Sequence, residues 1–94
     1  MTNAATDPPT AKIRLFSKQG CRHCVSAQSL LDRLGLEYEY VDLSGDVDAQ
    51  VTLARRTGQM TLPQIEIGGQ HLGGYNDLET AVREDRLAGL LAAS

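Results

Sequence analysis

Cys21 and Cys24 are the residues of this chain best equipped for covalent chemistry, and they are its only cysteines. Two thiols three positions apart on a helix lie on one face, near enough to close a disulfide. Their surroundings differ. Cys21 falls where a helix is expected to begin, and unpaired amides and the helix dipole there favour an anion. Lys18 and Arg22 add positive charge nearby. Together these effects favour thiolate over thiol and predict a Cys21 pKa below the free value of about 8.5. Cys24, one turn further in, lacks most of that help and reads as a resolving thiol. Blander readings exist. A lone C-x-x-C can be half of a zinc site, but a structural zinc usually takes four protein ligands, and the chain has only His23 and His71 to add. Inert buried cysteines fit poorly with the polar run SKQGCRHC. His23 reads as a solvent-facing side chain rather than an acid–base catalyst. A redox dithiol is the leading interpretation.

Composition narrows the setting. Ninety-four residues suit a single domain, and 41% hydrophobic with 22% charged residues is ordinary for a globular one. A chain of this size buries roughly 60–65% of its unfolded surface, enough for one modest core. A net charge of -3 argues against nucleic acid as a partner, and three Tyr, one Phe and no Trp leave little for base stacking. No apolar run approaches the roughly 20 residues of a membrane span. The first ten residues lack a basic start followed by an apolar stretch, so no signal peptide is expected. Two cysteines are too few for the disulfide framework of a small secreted domain; a cytoplasmic setting is expected.

The elements that must position the thiols follow from periodicity. Residues 1–10 are small, polar and Pro-containing, and read as a flexible tail ahead of a domain over 11–94. KIRLF, at 12–16, reads as a buried strand. From Cys24 the residues Val25, Ala27, Leu30, Leu31 and Leu34 recur at helical spacing, and Gly35 offers a left-handed cap. LEYEYVDL, at 36–43, alternates as a strand with Tyr38 and Tyr40 on one face and Glu37 and Glu39 on the other, one face being wet. Ser44 or Asp46 can cap a second helix reaching Thr57, with Val47, Val51 and Ala54 inward and Gly58 closing it. QIEI and QHL flank Gly68-Gly69 as a hairpin. Asn76 with Glu79 has the form of a capping box for a last helix, whose apolar phase shifts near residues 84–86 and predicts a break. The result is an α/β fold, β-α-β-α-β-β-α. Helix-linked strands are parallel and the hairpin antiparallel, so the sheet is mixed, with helices on both faces.

The order of these motifs resembles a glutaredoxin of the dithiol type, within the thioredoxin-like fold, over nearly the whole chain. FSKQGCRHC, TGQMTLPQIEIGG, QHLGGYNDL and the broken helix behind them carry the likeness. C-x-x-C alone is common; its combination with T-L-P and G-G-Y-N-D-L at these separations is specific. The resemblance implies a four-stranded mixed sheet flanked by helices, Cys21 as nucleophile and Cys24 as resolving cysteine. It implies that Pro63 is a cis-proline facing the active site, and that the Leu62 backbone pairs with the cysteine part of glutathione. Lys18 and Arg55 match positions holding the glutathione glycine carboxylate. Tyr75, Asn76 and Asp77 match the segment receiving the γ-glutamyl end, and a helix start there independently offers free amides to a carboxylate. Capping alone is the alternative role for Asn76 and Asp77. The expected glutathione-contacting set is Lys18, His23, Arg55, Thr61, Leu62, Pro63, Gly74, Tyr75, Asn76 and Asp77.

The implied activity is glutathione-dependent thiol–disulfide exchange, on glutathionylated or disulfide-containing proteins, by a monomer with glutathione as co-substrate and no tightly bound cofactor or metal. Arg22-His23 replaces the middle of the family's C-P-Y-C, which alters thiolate pKa and potential. Glu66 stands where an aromatic is usual, and its charge predicts a more exposed face. Tyr75-Asn76 departs from G-G-x-D-D-L. Two alternatives are a carrier recharged by thioredoxin reductase, and a [2Fe–2S] cluster module using the first cysteine with glutathione, although most cluster-binding members carry C-G-F-S.

Overall fold

The structure, a computed structural model, describes residues 12–93, so the tail expected over 1–10 lies outside the described residues. The elements run β1 (Ile13–Ser17), α1 (Arg22–Arg33), β2 (Tyr38–Asp42), α2 (Val47–Thr57), β3 (Gln64–Ile67), β4 (Gln70–Gly73), α3 (Tyr75–Arg83) and α4 (Leu87–Ala92). Strand order is β2-β1-β3-β4, with β1 parallel to β2 and antiparallel to β3, and β3 antiparallel to β4. This is the mixed sheet that the element order requires. The last helix is indeed broken. Asp85, at φ 57, is the one non-glycine with positive φ among the described residues, and it separates α3 from α4.

Alternation along β1 and β3 divides the interior in two. Ile13, Leu15, Ile65 and Ile67 face Ala27 and Leu31 of α1, Leu78 of α3 and Leu87 of α4. Phe16 faces the other way and meets Leu43 and Leu53, with Ala49 and Leu62 packed against them. Helices therefore cover both faces, α2 alone on the second. The turns are made where the backbone demands glycine. Gly35 takes φ 69, and the amides of Gly35 and Leu36 bond the carbonyls of Asp32 and Leu31, closing α1 in a Schellman arrangement. Gly68 and Gly69, at φ 60 and 82, form the type I′ hairpin turn between β3 and β4.

Several expectations are corrected or narrowed. On α1 the buried stripe is Cys24, Ala27 and Leu31, while Val25 and Leu34 are exposed. Val25 follows Cys24 and so points about 100° away from it. On α2 Val47 and Val51 face solvent, 67% and 42% exposed, and Leu53 is buried. The larger Leu53 fills the gap beneath Phe16, and that docking sets the rotation of the helix. Of the two caps offered for α2, Asp46 is the one used, its carboxylate accepting from the Ala49 amide at 3.0 Å. Helix α3 starts two residues earlier than a cap at Asn76 predicts: Gly74 is the N-cap, and the Asp77 carboxylate accepts from the Gly74 amide at 2.9 Å. Finally, Glu66 is 3% exposed, not on an open face. It forms an ion pair with Arg56 of α2, which also lies 6.0 Å from the centre of the Phe16 ring. An arginine reaching over from α2 makes a buried carboxylate tolerable. On the edge strand β2, Tyr40 is exposed along with Glu39, so the wet surface includes part of the tyrosine face.

Candidate functional site

Cys21 is the N-cap of α1, with extended backbone, and its sulfur accepts from the Cys24 amide at 3.2 Å. That amide is one of the donors a helix start leaves without an intrahelical partner, and a sulfur carrying negative charge is its natural acceptor. The two cysteines form a disulfide, with Cα atoms 5.2 Å apart. Their accessibilities are unequal: Cys21 is half-buried at the end of the helix, whereas Cys24 is 2% exposed and belongs to the core. An incoming group can reach the first sulfur and not the second.

The loop that presents Cys21 is anchored from the sheet edge. The Gln19 amide donates to Ser44 Oγ at 2.6 Å, and the Ser44 amide donates to Asp42 Oδ1 at 2.9 Å. Hydrogen bonds from the Ser44 side chain and backbone hold the Asp42 carboxyl below its ordinary value of 3.8. Facing Cys21 from the other side is the segment between α2 and β3. Its Leu62–Pro63 peptide is cis, and the Leu62 carbonyl oxygen lies 3.7 Å from Cys21 Sγ.

Beside the disulfide runs a groove of about 570 Å³, lined by His23, Gln59, Thr61, Leu62, Pro63, Gly74, Tyr75, Asn76 and Asp77. Three separate segments thus supply one concavity, and eight of the residues named from sequence line it. The His23 and Tyr75 rings lie nearly parallel across it, 6.3 Å between centroids. Lys18 is exposed and lines a smaller adjoining cavity of about 220 Å³ with Gln50, Met60, Thr61, Leu62 and Gln64. Arg55 is exposed on the last turn of α2 and lines neither cavity. The Asp77 carboxylate, expected to be open to an ammonium, already bonds the Gly74 amide. Gly73 makes this possible: at φ 134 an added Cβ would overlap the Asp77 carboxylate.

Gln50, Gln59 and Gln64 are absent from the residues named by sequence. An uncharged amide has no titration, no periodic signature and no motif of its own; adjacency to Thr61-Leu62-Pro63 pointed toward Gln59 and Gln64, and nothing in the sequence toward Gln50. Among the described residues no group of three or more His, Cys, Asp or Glu converges as a metal site.

The glutaredoxin family profile matches residues 13–72, from the start of β1 into β4. The chain belongs to the glutaredoxin family. Its relatives include a glutaredoxin of Ricinus communis, 40% identical over 80 residues that cover 82% of this chain and 78% of that one. Another, from Pseudomonas aeruginosa, is 35% identical over 79 residues, covering 84% of this chain and 94% of its own length. Among solved structures, the crystal structure of a buckwheat glutaredoxin–glutathione complex superposes with a TM-score of 0.79 at 35% identity, covering 87% of this chain and 77% of that one. The family and its thioredoxin-like fold, both implied by the motifs, are borne out by these matches.

Proposed function

We propose that the protein is a glutathione-dependent thiol–disulfide oxidoreductase acting on protein–glutathione mixed disulfides and protein disulfides. The observation that carries this is the asymmetric pair: a reachable Cys21 at a helix N-cap, with Cys24 buried behind it and a groove at its side. Likeness to the buckwheat glutathione complex supports glutathione as the co-substrate.

In the reduced enzyme, the Cys21 thiolate attacks the glutathione sulfur of a mixed disulfide. The S–S bond breaks, and the departing protein thiolate takes a proton. Cys21 is left joined to glutathione. A second glutathione thiolate attacks the glutathione sulfur, giving oxidised glutathione and free Cys21. Alternatively the Cys24 thiolate attacks Cys21 Sγ, releasing glutathione and closing the Cys21–Cys24 disulfide, which two further glutathiones reopen. Glutaredoxins as a class poise at about -200 to -230 mV, a range that the glutathione pool can recharge; the potential of this protein is set by its own Arg22-His23 pair.

In this reading the groove holds glutathione with its cysteine backbone against Leu62 and its γ-glutamyl end toward Tyr75, Asn76 and Asp77. Lys18, beside Thr61 and Leu62, attracts the glycine carboxylate, and Arg55 contributes charge from further off. Action as a cytoplasmic monomer belongs to the same reading. Both cysteines are taken up by the redox pair, as suits a compartment where other thiols stay reduced.

The decisive assay couples glutathione, glutathione reductase and a small glutathione mixed disulfide. Turnover is expected there and not with thioredoxin reductase as sole reductant; the reverse would replace this reading by the thioredoxin-reductase one. Cys21→Ser is expected to abolish turnover. Cys24→Ser should keep most deglutathionylation and lose most reduction of protein disulfides, a division checked by running both substrates side by side.

A further inference from the structure

The loop that faces Cys21 is held by side chains. Among the described residues, no backbone–backbone hydrogen bond ties the 59–63 segment to the rest of the molecule. Gln59 supplies what is missing. Its Nε2 donates to the Thr61 carbonyl at 3.0 Å, the Thr61 hydroxyl at 3.3 Å and the Pro63 carbonyl at 3.1 Å. The Gln59 carbonyl in turn accepts from Gln64 Nε2 at 2.8 Å, and the same Gln64 amide reaches the Thr61 carbonyl at 3.2 Å. Gln64 is 2% exposed at the start of β3, so the clamp is rooted in the sheet. The amide therefore grips the carbonyls on both sides of Leu62, whose own carbonyl is 3.7 Å from Cys21 Sγ.

We infer that Gln59 is a positioning residue: through Thr61 and Pro63 it sets the orientation of the Leu62 backbone against which the glutathione moiety of the substrate is aligned beside Cys21. This rests on the function proposed above. An amide suits the task because it offers two N–H donors to oxygens that can only be satisfied by donors. Thr61 is exposed, but Pro63 is buried, and its carbonyl, without a ladder partner, would otherwise carry more of the cost of an unmade bond.

Two variants of nearly equal length separate donation from bulk. Gln59→Met removes the donors; Gln59→Glu replaces them with a carboxylate facing two carbonyls. The Michaelis constant for a glutathione mixed disulfide is expected to rise in the order Gln, Met, Glu, by roughly tenfold or more for Glu, with kcat changed much less. Alkylation of reduced Cys21 by iodoacetamide should stay within about twofold, since its bond from the Cys24 amide is untouched. NMR order parameters of Thr61 and Leu62 should fall from the rigid value of about 0.85. Wild-type behaviour in both variants overturns the inference. So does equal loss of alkylation and turnover, which would mean general damage to the site. If Glu prevents folding, seen by thermal melting, Met alone decides. If the wild type itself gives no turnover with glutathione, the functional reading fails, while the order parameters still judge the clamp.

Discussion

A cysteine at the N-cap of a helix can do two jobs with one sulfur, capping the helix and, in the proposed reaction, serving as the nucleophile. Cys21 caps α1 by accepting from the Cys24 amide, and the same donor stabilises the thiolate once the disulfide opens. The second residue of consequence is one without a side chain. Gly73 leaves room for the Asp77 carboxylate to turn back onto the Gly74 amide and start α3 beside the groove. Gly73→Ala should cost about 2 kcal/mol or more in denaturant unfolding, from positive φ and overlap together. Gly74→Ala, at φ -94 with ordinary contacts of 3.6 Å to Gln59 Nε2 and the Pro63 carbonyl, should cost under about 1 kcal/mol. Asp42 has a pH consequence. Its folded pKa is lowered by Ser44, so its contribution to holding the Cys21 loop is present above the unfolded value and lost as pH falls through the folded one. Hydrogen exchange at the Gln19 amide should accelerate through that acid window, after correction for intrinsic rates, and the step should vanish in Asp42→Asn.

At the scale of elements, α2 shows how docking overrules local pattern. Val47, Val51 and Ala54 form a plausible apolar stripe, yet the helix turns Leu53 inward against Phe16 and Leu43. Leu53→Ala should therefore destabilise by about 2–4 kcal/mol, whereas Val51→Ser should change stability by less than about 0.5 kcal/mol. Chemical denaturation of both variants distinguishes the observed face from the one read by periodicity. The reversed result would place the stripe of valines inside. The break at Asp85 serves docking too, letting Leu78 of α3 and Leu87 of α4 reach the same core beneath the sheet.

For the molecule as a whole, the sheet is the platform on which three segments meet at one groove, and its second face is closed by a single helix. Glu66 and Arg56 join the two across that layer. The pair is lopsided, Glu66 at 4% side-chain exposure and Arg56 at 50%, so part of its attraction is screened by solvent. Arg56→Ala strands a buried carboxylate and should cost on the order of 2 kcal/mol. Glu66→Leu removes the buried charge and should be near neutral or stabilising. Thermal melts of both single variants test this; equal destabilisation would show that the pair itself, rather than the burial of an unpaired charge, governs the energetics.

Much was legible in the sequence because it depends on neighbours along the chain. The C-x-x-C at a helix start, the Gly68-Gly69 hairpin, the glycine closing α1 and the phase break behind Asp85 all follow from backbone stereochemistry and helical or strand period. The order of elements then requires a mixed sheet. Tertiary structure alone decided which face of α2 is buried, because that depends on the gap left under Phe16. It also decided that Glu66 is inside, because its partner comes from another element. The amide clamp around Leu62 was equally hidden: Gln59 and Gln64 are ordinary polar letters until the fold brings their donors to carbonyls that no ladder satisfies. The two cysteines announced the reaction from their spacing, but only the packing of α1 against the core made one sulfur reachable and the other not.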